Sequence, residues 1–276
     1  MVKLITLPFT KRRLAFGLTR PEDAAAHFRA LEFQTNLRAD YYHRGRHQGH
    51  RDLGSGAITY VATLALASEG IALAAPSGAA INTLFLARHH FTGTGTTTDT
   101  LGTSIKMETI STQGGQTAPG SPTQSLIATS ATTVQFRSVA TVSYTGSEAV
   151  TEWGLHTSAT RSATTGSPFT ATSATGGTVT GTPLTASSST VQGLQQNIVE
   201  TTTTPRWGFI TSNSTSGIVI PAWYVTSTGA AGSTPGSTEA YTLRPILLDR
   251  KTFAAINVVN TDSIQFTYTL TITPGG

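Results

Sequence analysis

The sequence predicts an all-β fold: an antiparallel β-sandwich of jelly-roll or Ig-like type, with a short N-terminal helix and an extended basic arm. Three observations carry this. The closing segment alternates strictly, with Ile264, Phe266, Tyr268, Leu270 and Ile272 on one face and Gln265, Thr267, Thr269 and Thr271 on the other. Side chains alternate across a strand with a period of two, so this is a strand with one buried face. Charged residues make up only 12% of the 276 residues, about half the roughly 25% usual for soluble domains, with Thr, Ser, Gly and Ala in their place. Short runs containing Val, Ile, Phe and Tyr recur between turn signals, which is the spacing of a sandwich or barrel and not of a disordered chain.

Taken in order, residues 1–56 form a basic region holding ten of the 18 Lys and Arg residues. Thr19-Arg20-Pro21-Glu22 has capping-box spacing with Pro in the first turn. Ala24, Phe28 and Leu31, then Phe33, Leu37 and Tyr41, follow at helical spacing, and Arg44-Gly45 gives a stop. Residues 57–276 are expected to form the sandwich. Within it, the 57–80 stretch alternates on both sides of Ser68-Glu69-Gly70. That break predicts a hairpin and not a membrane span. Ile81 to Phe91 and Val134 to Tyr144 are expected strands, and Gly146-Ser147 turns the chain into Ala149 to Leu155. A low-charge insertion rich in Thr, Ser and Gly runs from about 157 to 240, with strand signals at Trp207 to Ile210 and Ile218 to Val225.

Cysteine is absent, which excludes disulfides and thiolate metal sites. The richest polar cluster is His43-Arg44-Gly45-Arg46-His47-Gln48-Gly49-His50-Arg51. His43, His47 and His50 have the chemistry of Zn or Ni ligands, and the arginines that of phosphate contacts. A solvated basic loop that docks on an acidic partner is the stronger expectation. Gly93-Thr94-Gly95 lacks the Gly-Lys-Ser/Thr ending of a phosphate loop and is expected to be a turn. No Gly-x-Ser-x-Gly elbow is present, so nucleophilic catalysis is not indicated. Trp207, Trp223 and Tyr224 are candidates for a surface-binding aromatic cluster, set against the commoner role of aromatics as core.

Three segments together resemble structural proteins of tailed-bacteriophage virions. They are Leu84 to Phe91 running through Gly93-Thr94-Gly95 to Asp99-Thr100-Leu101; Val139 to Tyr144 followed by Val150-Thr151-Glu152-Trp153-Gly154-Leu155; and Leu247-Leu248-Asp249-Arg250 leading to Asp262-Ser263-Ile264 and the final strand. The resemblance implies a non-enzymatic virion component without cofactors, assembled in the host cytoplasm. A capsid decoration protein is the first expectation, and a neck or tail accessory or a receptor- or glycan-binding protein is the alternative. The expected partners are major capsid or tail and neck proteins and further copies of the chain, with neither membrane nor nucleic acid among them. Arg12, Arg13, Arg44, Arg46 and Arg51 are the expected assembly contacts.

Overall fold

A computed structural model describes residues 12–14, 31–59, 89–98, 105–113, 123–128, 133–157, 163–171, 178–180, 197–201, 203–210, 212–214, 217–220, 222–235 and 239–274. Among these residues every regular element is a strand, and the strand pairing is antiparallel throughout. The chain passes through β1 (Arg12–Leu14), β2 (Leu31–His43), β3 (Arg46–Gly54), β4 (Ala57–Ile58), β5 (His89–Gly93), β6 (Thr123–Ala128), β7 (Val134–Ser143) and β8 (Glu148–His156). The insertion then contributes β9 (Ala163–Ala171), β10 (Thr178–Thr180), β11 (Asn197–Thr201), β12 (Arg206–Phe209), β13 (Ser212–Ser214), β14 (Gly217–Val219), β15 (Trp223–Val225), β16 (Ala231–Gly232) and β17 (Glu239–Pro245). Two long strands close the chain, β18 (Leu247–Val258) and β19 (Asp262–Pro274).

One six-stranded sheet runs β1-β2-β19-β7-β6, with β3 also paired to β2; a four-stranded sheet runs β4-β18-β8-β5. The two sheets pack face to face as a β-sandwich. Leu37, Ala39, Phe136, Val142, Ile264, Phe266, Tyr268 and Leu270 from the first meet Val150, Trp153, Leu155, Leu248 and Val258 from the second in one core. The pairing is nested: β2 with β19, β4 with β18, β5 with β8, and β6 with β7. The sandwich is thus a long hairpin folded over on itself. Trp153 sits at its centre, stacked on Tyr268 at 5.4 Å between ring centroids and edge-on to His90 at the same distance.

The closing alternation is realised in β19, which pairs with β2 on one side and with β7, the strand expected at Val134 to Tyr144, on the other. The helical reading of Phe33, Leu37 and Tyr41 is overturned, since Leu31–His43 is a strand, whose side chains alternate exposed and buried from Gln34 to Ala39. The basic region is correspondingly less of an arm than expected, because residues 31–54 are integral strands of the larger sheet. The capping-box segment at 19–22, the 60–80 part of the expected hairpin and the 81–88 part of the expected strand lie outside the described residues.

The insertion leaves the body after β8 and returns before β18, two strands that are already paired through His156 and Leu247. Hydrogen bonds at its root, from Thr157 N–H to the Ile246 carbonyl (3.1 Å) and from Ile246 N–H to Thr157 Oγ1 (3.2 Å), close the neck. Its nine strands follow the order β13-β14-β10-β9-β17-β11-β12-β15-β16. Phe209, in the seventh strand of that order, is three residues from Ser212, in the first. Three Cα steps span at most about 11 Å, whereas six flat strand spacings need about 29 Å. The sheet therefore rolls up on itself. Both faces of its centre are buried: Trp207, Phe209 and Ile198 pack with Ile105 and Ile246, while Trp223 and Ile220 lie over Gly208 on the opposite face.

Candidate functional site

Two polar centres organise the molecule. The first lies on the outer side of the four-stranded sheet, beneath the segment 105–111. Glu152 projects from β8 into a fully buried position. Its carboxylate accepts the backbone N–H groups of Glu108 (2.8 Å) and Thr109 (3.2 Å) and the Arg250 Nε of the neighbouring strand β18 (2.6 Å). A buried carboxylate is tolerable only when it is paired and hydrogen-bonded in this way. Glu108 in turn accepts the N–H groups of Thr96 (2.9 Å) and Thr97 (2.8 Å) and the Thr97 hydroxyl (2.9 Å). These bonds, with the Thr97 N–H foremost, hold the Glu108 carboxyl below its ordinary range. The Gly-Thr-Gly turn is pinned against the same centre: a Cβ on Gly95 would stand 2.4 Å from Glu152 Oε2 and 2.7 Å from Glu108 Cβ, so only glycine fits. A further carboxylate, Glu200, joins the insertion to the body by accepting Lys106 Nζ at 2.7 Å and Arg244 Nε at 2.5 Å.

The second centre lies at one end of the six-stranded sheet. Asp262, the first residue of β19, is buried and accepts the Tyr41 hydroxyl (2.7 Å), His43 Nδ1 (2.6 Å) and the Val259 N–H (2.9 Å). Burial alone would raise the Asp262 carboxyl, but the bonds from Tyr41, Val259 and His43 outweigh it and hold the group low. The bond to Asp262 pushes the Tyr41 hydroxyl up to about 12. Beside this clasp, β2 turns into β3 through Arg44 and Gly45, whose φ values of 47° and 76° are both positive, the signature of a type I′ hairpin turn. His43 and Arg46 are directly opposed across the hairpin, and Gln48, at the register shift between His47 and Gly49, donates through Nε2 to the Arg46 carbonyl at 3.2 Å. Together with Arg44 they line an open concavity of about 490 Å³. On the opposite face Asp40 accepts Arg38 (2.7 Å) and His47 (3.3 Å), and the Arg38 guanidinium holds its carboxyl low despite burial.

The expected assembly arginines separate on this framework. Arg12 and Arg13 sit in the edge strand β1, their backbones paired with Phe33 and Glu32. Arg44 and Arg46 are exposed at the hairpin tip, and neither forms an ion pair among the described residues. Arg51 instead donates to the Ala254 carbonyl at 2.7 Å, across to the bulged edge of β18, so it staples the two sheets. The three histidines do not converge: His43 is held by Asp262 and His47 by Asp40, and no metal-holding group of His, Cys, Asp or Glu occurs among the described residues. The expected aromatic surface is corrected: Trp207 and Trp223 are 0% and 3% exposed, and Tyr224, half-buried, stacks on Trp207 at 4.7 Å. Trp207 packs with Ile105, Ile198 and Phe209, and Trp223 lies with Ile220 over Gly208, so both belong to the core of the rolled sheet.

Glu152, Arg250, Asp262 and Tyr41 were not singled out by chemistry in the sequence, although the first three lie within the motif segments. The available signal was a charged residue inside an otherwise apolar strand run, Val-Thr-Glu-Trp-Gly-Leu and Leu-Leu-Asp-Arg. No protein-family model, no curated protein and no solved structure matches this chain.

Proposed function

We propose that the protein is a structural component of a tailed-phage virion, in the first instance a capsid decoration protein that clamps neighbouring subunits. The observation that supports this most is how the three motif segments are used. Gly93 and Gly95, Glu152, and Arg250 converge on one buried polar cluster that joins β5, β8, β18 and the segment over them. Their chemistry is spent on holding layers together. Among the described residues Arg44 and Arg46 are exposed cations without an ion pair and stand at the tip of the β2–β3 hairpin, where they suit docking on an acidic surface of a capsid or tail protein. The test is co-purification: the chain should travel with intact particles at a stoichiometry set by capsid or tail symmetry. Finding it only outside purified particles would overturn the proposal.

A second reading, a receptor- or glycan-binding virion protein, is favoured by the narrow neck at Thr157 and Ile246. A rolled sheet whose chain leaves and re-enters the body at a single neck is built as a module carried by the body. It would bind through surfaces other than Trp207 and Trp223. Removing the insertion should then abolish attachment to cells or glycans while particles still incorporate the protein.

A further inference from the structure

We propose that the concavity at the β2–β3 hairpin tip, lined also by His43 and Gln48, is a binding site for a tetrahedral oxyanion of the phosphate or sulfate class, held by Arg44 and Arg46. This does not depend on the virion reading.

Four observations converge on it. Arg44 and Arg46 line one concavity and neither has a carboxylate partner among the described residues. Two guanidinium groups gathered in this way repel one another unless an anion joins them. His43 is oriented from behind: its Nδ1 is held by buried Asp262, so the ring edge bearing Nε2 is the part left to face outward. The lining side chains also approach from different directions. His43 and Arg46 come from opposite strands, Arg44 from the turn, and Gln48 from further along β3. A planar carboxylate is satisfied by a single arginine fork, whereas a multi-sided donor set suits a tetrahedral anion. The concavity, at about 490 Å³, is many times the roughly 30 Å³ share of one water, so a partly hydrated anion fits.

The fourth observation is backbone strain. Arg44 at φ 47° occupies a type I′ position that Asn or Gly fills at lower cost. Thr261, at φ 76° in the adjoining β18–β19 turn, is the other non-glycine residue with positive φ among the described residues. The two turns flank the paired His43 and Asp262 at one end of the sheet. Strained residues concentrate at functional sites, where the side chain supplies something the favoured residue could not.

The experiment is calorimetric titration of the full chain with inorganic phosphate and with sulfate, against chloride at matched ionic strength. Saturable heat is expected with both tetrahedral anions and not with chloride. Arg46→Gln should weaken phosphate binding about tenfold, the effect of losing a charge-assisted contact. Arg206→Gln, which removes the same charge from the distant insertion, should leave it unchanged. Arg44→Asn should weaken binding while raising the melting temperature by about 2 °C, because it relieves the strained turn. Equal responses to phosphate and chloride would reduce the effect to general screening and overturn the proposal. Equal losses in Arg46→Gln and Arg206→Gln would do the same, as would Arg44→Asn binding at full strength.

Discussion

At the residue scale, Glu152 is the side chain on which most depends. It neutralises Arg250, which is itself buried, and satisfies two backbone donors of the overlying segment. Without Glu152 the buried Arg250 keeps only the Glu108 carboxylate at 3.8 Å, and without Arg250 the buried Glu152 loses its cation; breaking a buried pair in this way costs about 3–5 kcal/mol. Glu152→Gln and Arg250→Met should each destabilise strongly in urea unfolding. The double variant should lose clearly less than the sum of the two, because it leaves no orphaned charge. Additive losses would show that the two side chains act separately. His90 illustrates the same economy of polar groups. Its Nδ1 accepts the Trp153 indole N–H at 3.2 Å, which leaves the proton on Nε2 to donate to Ser138 Oγ at 2.9 Å. The central tryptophan of the core is thereby satisfied without water.

At the scale of elements, the neck of the insertion makes a direct prediction. Since β8 and β18 are paired at His156 and Leu247, a short Gly-rich linker can replace residues 158–245 without changing strand register. The shortened chain should remain a cooperatively melting β protein, somewhat less stable because Ile105 and Lys106 lose Ile198, Trp207 and Glu200. Loss of cooperative melting would show that the body needs the insertion to fold. The strands legible in the sequence were those with unbroken alternation or a clear turn beside them, namely β19, β7 and β8. β2 was misread for a definite reason. Phe33, Leu37 and Tyr41 recur every four residues, a spacing that is also a multiple of two. Thr35 and Ala39, which complete the alternation and are buried, carry little hydrophobic signal. The rolled sheet was legible only at Trp207 to Ile210 and near Ile218 to Val225. Its strands are as short as two or three residues, and their partners lie far apart in the chain. The Asp262 clasp was hidden for a similar reason, since Tyr41 and Asp262 meet across 221 positions of sequence.

At the scale of the whole molecule, the sandwich carries two histidines that must stay neutral. Burial pushes both His90 and His156 down to about 3. The unfolded chain takes up these protons near the ordinary histidine value, so the stability they contribute is present above about pH 6.5 and is lost as pH falls toward 3. Between pH 7 and pH 5 the expected loss is about 2 kcal/mol per histidine, read as a falling urea midpoint. A flat profile over that range would contradict the burial of these rings. The lowered carboxyls of Asp262 and Asp40 act at more acid pH, since their contribution is lost only below the ordinary carboxylate range.

Assembly on a virion is the role proposed for this body, its clasps and its basic hairpin. Imaging of purified native particles tests it most directly. The predicted result is density for this sandwich at symmetry-related positions on the particle, with the Arg44–Arg46 tip against a neighbouring subunit. Particles that are complete and carry no such density would contradict it.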